Sequence, residues 1–284
     1  MIDPQLPHTD PQHLLAAAAA GELPLTTPLP AGRLVGSRAA DGDAPPVLWL
    51  SDGPATAGLW AALHSERHRT GLWPLLLLGL DDTPAFRPWQ SQELSPQDMS
   101  SADEHDAAVL LKDWWAEVAA WETDDPEEAE ERQELVAPFG PVWPGLAPAP
   151  TGGGDPDATA RSVATQLLRA RPGMRIGLVP ATDGAQALAT CGWSGPLNHE
   201  ADTGKIASVL RSWEHRFGAQ VVGAGFDTLY LSVAAPPTSP DSALLIAAEH
   251  LALCPDNILQ GDAETLAEYA DDLVDEDLWA LWWD

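Results

Sequence analysis

The stretch "PPVLWLSDGPATAGLWAALHSERHRTGLWPLLLLGL", residues 45 to 80, constrains the fold more than any other part of the chain. Two short apolar runs, Val47 to Leu50 and Trp73 to Gly79, flank a segment in which Leu59, Trp60 and Leu63 recur at helical spacing. Apolar runs this short suit strands, and the spacing between them predicts a helix from about Pro54 to His68. Gly53 and Pro54 suit its start, and Gly71 suits the left-handed residue that ends a helix. Strand, helix and strand in this order predict a βαβ unit with a right-handed crossover, and hence a sheet covered by helices.

The C-terminal half repeats the alternation. Asp155 and Pro156 start a helix of about 157 to 171, and "MRIGLVPA" is a short strand. Thr182 is expected to cap a helix ending near Cys191, and Asp202 the next one, where Ile206, Val209, Leu210 and Trp213 share a face with Phe217 just beyond. "AQVVGAGFDTLYLSV" reads as a hairpin turning through Gly223 to Asp227, with Leu229, Leu231 and Val233 on one face. Ser239 and Pro240 open a further helix. The unbroken apolar run from Leu278 to Trp283 fits a last strand covered on both faces. The expected class is α/β with α+β mixing: a small N-terminal domain containing the βαβ unit, and a C-terminal mixed-sheet domain of order α-β-α-α-β-β-α-α-β.

Between these parts the composition shifts. Residues 81–136 hold 17 acids against Arg87, Lys112 and Arg132. Within them Val109, Leu110, Trp114, Val118 and Trp121 predict an amphipathic helix, followed by a solvated acidic run. "PFGPVWPGLAPAPTGGGDPD" then reads as linker. The expected organisation is an N-terminal domain over 1–136, a linker over 137–155 and a C-terminal domain over 156–284. Near the start, Asp10, Pro11 and Gly21 suit the ends of a short helix, and no Lys or Arg precedes Arg33 to form the charged region of a secretory leader. No apolar run approaches the length that spans a bilayer, so a cytoplasmic, membrane-free protein is expected.

The net charge of −29, from 43 acids against 14 bases, opposes nucleic-acid binding, which needs basic patches to displace counterions from phosphates. It favours a basic partner. Cys191 and Cys254 lie far apart without CxxC spacing, so neither a disulfide framework nor a zinc site is expected. His64 and His68 in "HSERH" stand at i and i+4, yet Glu66 is misplaced for a metalloprotease base and no third ligand lies nearby, so no metal and no cofactor is expected. "TGGGDPD" lacks a lysine, "GAGFD" lacks phosphate-loop spacing, and "GWSGP" is not a nucleophile elbow.

The pieces "SWEHRFGAQVVGAGFDTL", "AAEHLALCPDNILQG" and the terminal "WWD" occur in that order. In this combination the segment from about Met174 to the end resembles an uncharacterised bacterial family, the domain of unknown function numbered 4253. The resemblance implies a boundary and no activity.

Within "CPDNILQG" a thiol, a carboxylate and two amides stand close together. Cys254 needs a histidine such as His199 or His250 to become a nucleophile. From Phe217 to the end, however, 13 acids and no Lys or Arg surround it, which keeps a thiol protonated. Two functional readings stay open, beside a scaffold without specific ligand. The first is a non-catalytic acidic cytoplasmic binding protein engaging a basic protein partner, as an antidote or a regulator does. The second is an enzyme or small-ligand binder with a pocket around Cys254, Asp256 and Gln260 floored by the C-terminal tryptophans. The candidate ligand- or partner-binding residues are Cys254, Asp256, Asn257, Gln260, Trp282, Trp283 and Asp284.

Overall fold

The computed structural model describes residues 15–18, 25–38, 45–80, 85–91, 93–120, 133–263 and 265–284. It contains β1 (Gly32–Gly36), β2 (Pro46–Pro54), α1 (Ala57–Thr70) and β3 (Leu72–Leu77), then two single 3-10 turns, Pro96–Asp98 and Ala102–Glu104. After them come α2 (Ala107–Ala119), α3 (Pro156–Ala170), β4 (Arg175–Pro180), α4 (Gly184–Cys191) and α5 (Thr203–Phe217). The chain closes with β5 (Ala219–Ala224), β6 (Thr228–Val233), α6 (Pro240–Leu253), α7 (Asp256–Leu259), α8 (Leu266–Leu273) and β7 (Leu278–Trp282). This is the mixed α/β class expected. The C-terminal order is also as expected, apart from the four-residue α7.

All seven strands form one sheet, in the order β1-β2-β4-β3-β5-β6-β7. β4 lies antiparallel between β2 and β3, pairing Trp49 with Leu178 on one side and Trp73 with Val179 on the other. The strands β2 and β3 of the βαβ unit are therefore parallel but not adjacent. A strand from beyond residue 155 fills the place between them, and the compositional boundary at 137–155 does not coincide with a break in the sheet. Among the described residues, only β3 and β5 pair in parallel, through Leu76–Gly223 and Leu77–Ala224.

Alternate residues of each strand feed two apolar layers. Trp49, Leu76, Ile176, Leu178 and Val222 pack against α1 and α3 through Trp60, Leu63, Val163 and Leu167. On the other face Leu48, Leu75, Val179, Val221, Leu229, Leu231 and Trp279 meet Trp115 of α2, Leu188 of α4, Trp213 of α5, and Ile246 and Leu251 of α6.

Several local expectations shift by a residue or a face. Thr56 caps α1, accepting from Leu59 N at 3.2 Å, because Pro54 ends β2; Gly71 closes the helix at φ 69° as expected. Asp183 caps α4, while Thr182 N and Oγ1 bind the Gln186 side chain. In α2 the buried stripe is Leu111, Trp114, Trp115 and Val118, whereas Val109 is 54% exposed. Trp114 and Val118 of the expected stripe are buried, and Leu111 and Trp115 complete it in place of Val109 and Leu110. Trp121, most of the acidic run after it and the capping residues Asp10, Pro11 and Gly21 lie outside the described residues.

The segment read as a linker is packed. Phe139 and Trp143 meet the Trp115 ring at 6.2 and 5.7 Å. Ala147 N donates to Glu249 Oε1 at 2.7 Å, and Ala147 O accepts from Arg216 Nη1 at 2.7 Å. Glu249, fully buried, also accepts from Arg216 Nη1 and Nη2 at 2.7 and 2.6 Å and from Trp213 Nε1 at 2.7 Å. Four charge-assisted or indole donors on one carboxylate make burial of that charge tolerable.

Candidate functional site

β7 is an edge strand paired with β6 from Thr228–Trp282 to Ser232–Leu278. It is not covered on both faces. Trp279, Leu281 and Trp283 are buried, while Ala280 is exposed and Leu278 and Trp282 are half-buried. Alternation along an edge strand gives one core face and one wetter face, and the apolar run concealed it.

The inward tryptophans are core. Trp279 lies 5.5 Å from Trp213, 5.7 Å from Phe217 and 4.6 Å from His250, each ring edge to face or tilted. Trp283 meets Trp193 at 5.9 Å and donates Nε1 to Leu253 O at 3.2 Å.

An edge strand leaves every second N–H and C=O unpaired. The "CPDN" turn between α6 and α7 answers those groups one by one. Asn257 Oδ1 accepts from Trp282 N at 2.7 Å, and its Nδ2 donates to Ala280 O at 2.8 Å and to Tyr269 Oη at 3.0 Å. Cys254 Sγ donates to Trp282 O at 2.9 Å. Asp256 Oδ2 accepts from Asp284 N at 3.0 Å, and Asn198 Nδ2 donates to Asp284 O at 2.6 Å. The primary amide thus stands in for the next strand of the sheet.

Six of the seven candidate residues gather at this edge: Cys254, Asp256, Asn257, Trp282, Trp283 and Asp284. Gln260 is exposed and bonds only sideways, donating to Asp256 Oδ1 at 3.0 Å. Cys254 is fully buried, and burial first of all drives its thiol far above the ordinary range, so it is a neutral donor here. His250 is sealed too, with burial lowering its imidazole to about 3, and its Nδ1 lies 2.9 Å from Tyr269 Oη rather than from the thiol. His199 lies 5.5 Å from the Trp114 ring, and burial lowers its imidazole as well.

The "HSERH" pair is split by the helix. His64 is buried, stacked on Trp60 at 4.6 Å and edge-on to Trp73 at 5.5 Å, whereas His68 is exposed. Glu66 between them accepts from Thr26 N at 3.0 Å and Thr27 Oγ1 at 2.8 Å, tying the chain before β1 onto α1. Among the described residues no group of three or more His, Cys, Asp or Glu side chains is placed to hold a metal ion. No described helix is long and apolar enough to cross a membrane.

A cleft of about 300 Å³ opens elsewhere, lined by the 3-10 turns (Pro96, Met99, Ser100, Ala102, Asp103), by Gln186 and Thr190 of α4, and by Arg211 of α5. Arg211 is held by Asp103 at 2.6 Å and Asp183 at 3.2 Å. Ser100 N and Oγ donate to Asp202 at 2.8 and 2.6 Å, and Ser100 Oγ lies 2.5 Å from His105 Nε2. Sequence reading missed this group because Ser100 and His105 lie a hundred residues from Asp202 and no local spacing links them.

A mixed seven-stranded sheet between two helical layers, with an amide-clamped last edge, defines the architecture. Residues 175–284 match the family model described as Domain of unknown function (DUF4253), the segment that brings β4 through β7 and both halves of the edge clamp. Comparison with curated proteins and with solved structures returned no match.

Proposed function

We propose that this is a cytoplasmic acidic binding protein whose acidic surface on α8 and the loops flanking it captures a basic protein partner, in the manner of an antidote or a regulator. The supporting observation is where the cations go. Of 14 Lys and Arg residues, Arg33, Arg67, Arg69, Arg87, Lys205, Arg211 and Arg216 each meet a carboxylate of the same chain. Beyond Arg216, itself turned onto buried Glu249, the chain supplies no further cation. Asp262, Asp271, Asp272, Asp275 and Glu276 are exposed there. A single-sign surface raises encounter rates with an oppositely charged partner and discriminates against acidic ones.

The test is affinity capture from the native host at low salt, using the full chain and a variant carrying Asp271→Asn, Asp272→Asn, Asp275→Asn and Glu276→Gln. One basic protein retained by the parent, lost by the variant and released by salt supports the reading. Equal capture by both chains, or capture of no basic protein, ends it.

A further inference from the structure

The cleft beside α4 and α5 holds an arrangement that neither the edge clamp nor the acidic face uses. Ser100, which lines the cavity, donates its Oγ hydrogen to Asp202 Oδ2 at 2.6 Å and has His105 Nε2 at 2.5 Å. With the His105 hydrogen on Nδ1, Nε2 is an acceptor that can take the hydroxyl proton in place of Asp202. The position is fixed closely: Asp202 Oδ1 accepts from both Ser100 N and Gly204 N, at 2.8 and 2.9 Å. A Cβ at position 204 would fall 2.2 Å from Ser100 O, so glycine at the start of α5 is what allows the approach. Ser208 Oγ donates to His105 O at 3.1 Å, tying the base to the same helix.

The rest of the cleft is partly apolar and partly polar. Pro96, Met99, Ala102 and Ala189 supply apolar wall. Gln186 uses its Oε1 to accept from Thr182 N and Oγ1 at 2.8 and 2.9 Å, so the donor end of its amide is the end left for a ligand oxygen. At about 300 Å³ the cavity is at the small end of ligand sites.

We propose that Ser100 is an acylable nucleophile and that this cleft accepts small uncharged esters, a chemistry independent of the acidic face. Ser100 Oγ adds to the ester carbonyl carbon while its proton passes to His105 Nε2. The imidazolium so formed lies 3.9 Å from Asp202 Oδ2. The carbonyl oxygen carries the negative charge towards Gln186. Collapse re-forms the carbonyl and breaks the C–O bond to the alcohol, which leaves with the proton from His105. Water then adds to the acyl-serine with His105 taking its proton, and the acid departs as Ser100 Oγ regains a hydrogen. A nucleophile and a base within hydrogen-bond reach are the minimum for this chemistry.

The test uses the full chain with an alkyl fluorophosphonate, which loses fluoride to the serine oxygen, and with p-nitrophenyl acetate as substrate. The expected result is one adduct per chain on the peptide containing Ser100, absent from Ser100→Ala. His105→Gln is expected to slow labelling at least about 100-fold, the scale of general-base assistance. Asp202→Asn keeps a helix cap and is expected to slow labelling about 10-fold while the final stoichiometry stays at one, a kinetic split that loss of fold does not give. Folded parent protein that stays unlabelled at Ser100 overturns the proposal, whatever the variants do. So does a His105→Gln chain that labels at the parent rate.

Discussion

Asn257 and Trp282 are joined by a hydrogen bond from the backbone N–H of the edge strand to a side-chain oxygen, at 2.7 Å, and the same amide donates from Nδ2 to Ala280 O two residues back. Replacing Asn257 by Ala removes both and leaves the strand edge open. A cost of about 1–3 kcal/mol in urea unfolding is expected. Asn257→Asp keeps the acceptor but faces Ala280 O with a second oxygen, so it should be no better than Ala. If the Asp variant were as stable as the parent, the amide would not be acting as a surrogate strand.

Glu249 holds the 137–155 segment against the core through Ala147 and Arg216. Glu249→Ala strands a guanidinium that is 14% exposed and an orphaned backbone N–H, and a loss of about 3–5 kcal/mol is expected. The same variant should be cut by a dilute protease within residues 137–155 well before global unfolding, whereas the parent should resist. Equal digestion of both would show that the segment is held by its aromatic contacts alone.

Burial, with Arg67 the next largest influence, lowers the His64 imidazole from 6.5 to about 4, and burial takes His250 to about 3. A folded-state value below the unfolded one means the unfolded chain binds the extra proton between those limits. Stability is therefore intact above pH 6.5 and falls as the pH drops towards 4, by about 3 kcal/mol for each fully buried imidazole. Relief of acidic self-repulsion works in the opposite direction over the same range. The comparison that isolates the imidazole is His64→Phe against the parent: the gap between their unfolding midpoints should narrow or reverse on going from pH 7 to pH 4. A gap independent of pH would contradict it.

Glu214 titrates the other way. Burial first, and then Asp183, raise its carboxyl from 4.5 to about 7. The folded chain holds the proton longer than the unfolded one, so the group costs nothing below pH 4.5 and destabilises progressively as the pH rises through 7. Glu214 is half-buried, which limits the effect to about 1–2 kcal/mol. Glu214→Gln should raise the melting temperature at pH 8 and leave it unchanged at pH 4.5; a rise of equal size at both would mean that the gain is not electrostatic.

The sequence disclosed several features that depend on neighbours along the chain. Gly71, Asp155, Asp202 and Ser239 mark helix ends because caps act over three or four residues. Which residues of α2 turn inward was only partly legible: Val109 and Leu111 are equally apolar, and only the tertiary partners decide which one is buried. The "CPDN" and "WWD" pieces touch in the fold, yet a cluster of thiol, carboxylate and amide reads as chemistry until the open edge of β7 is seen beside it. Ser100, His105 and Asp202 had no such grouping, because contact over a hundred residues is made by the packing of the 3-10 turns on α5. The place of β4 was hidden for the same reason, since nothing in "MRIGLVPA" says which strands it separates.

That place of β4 has a consequence for inheritance. The family-matched segment carries β4 and β5, but its own strands do not meet there, for β3 from the unmatched part lies between them. A chain that borrows only residues 175–284 borrows a sheet with a missing slat, and another polypeptide must furnish an antiparallel neighbour for β4 and a parallel one for β5. Gene fusions and truncations that respect the boundary of similarity are expected to yield insoluble protein unless they bring such a strand with them.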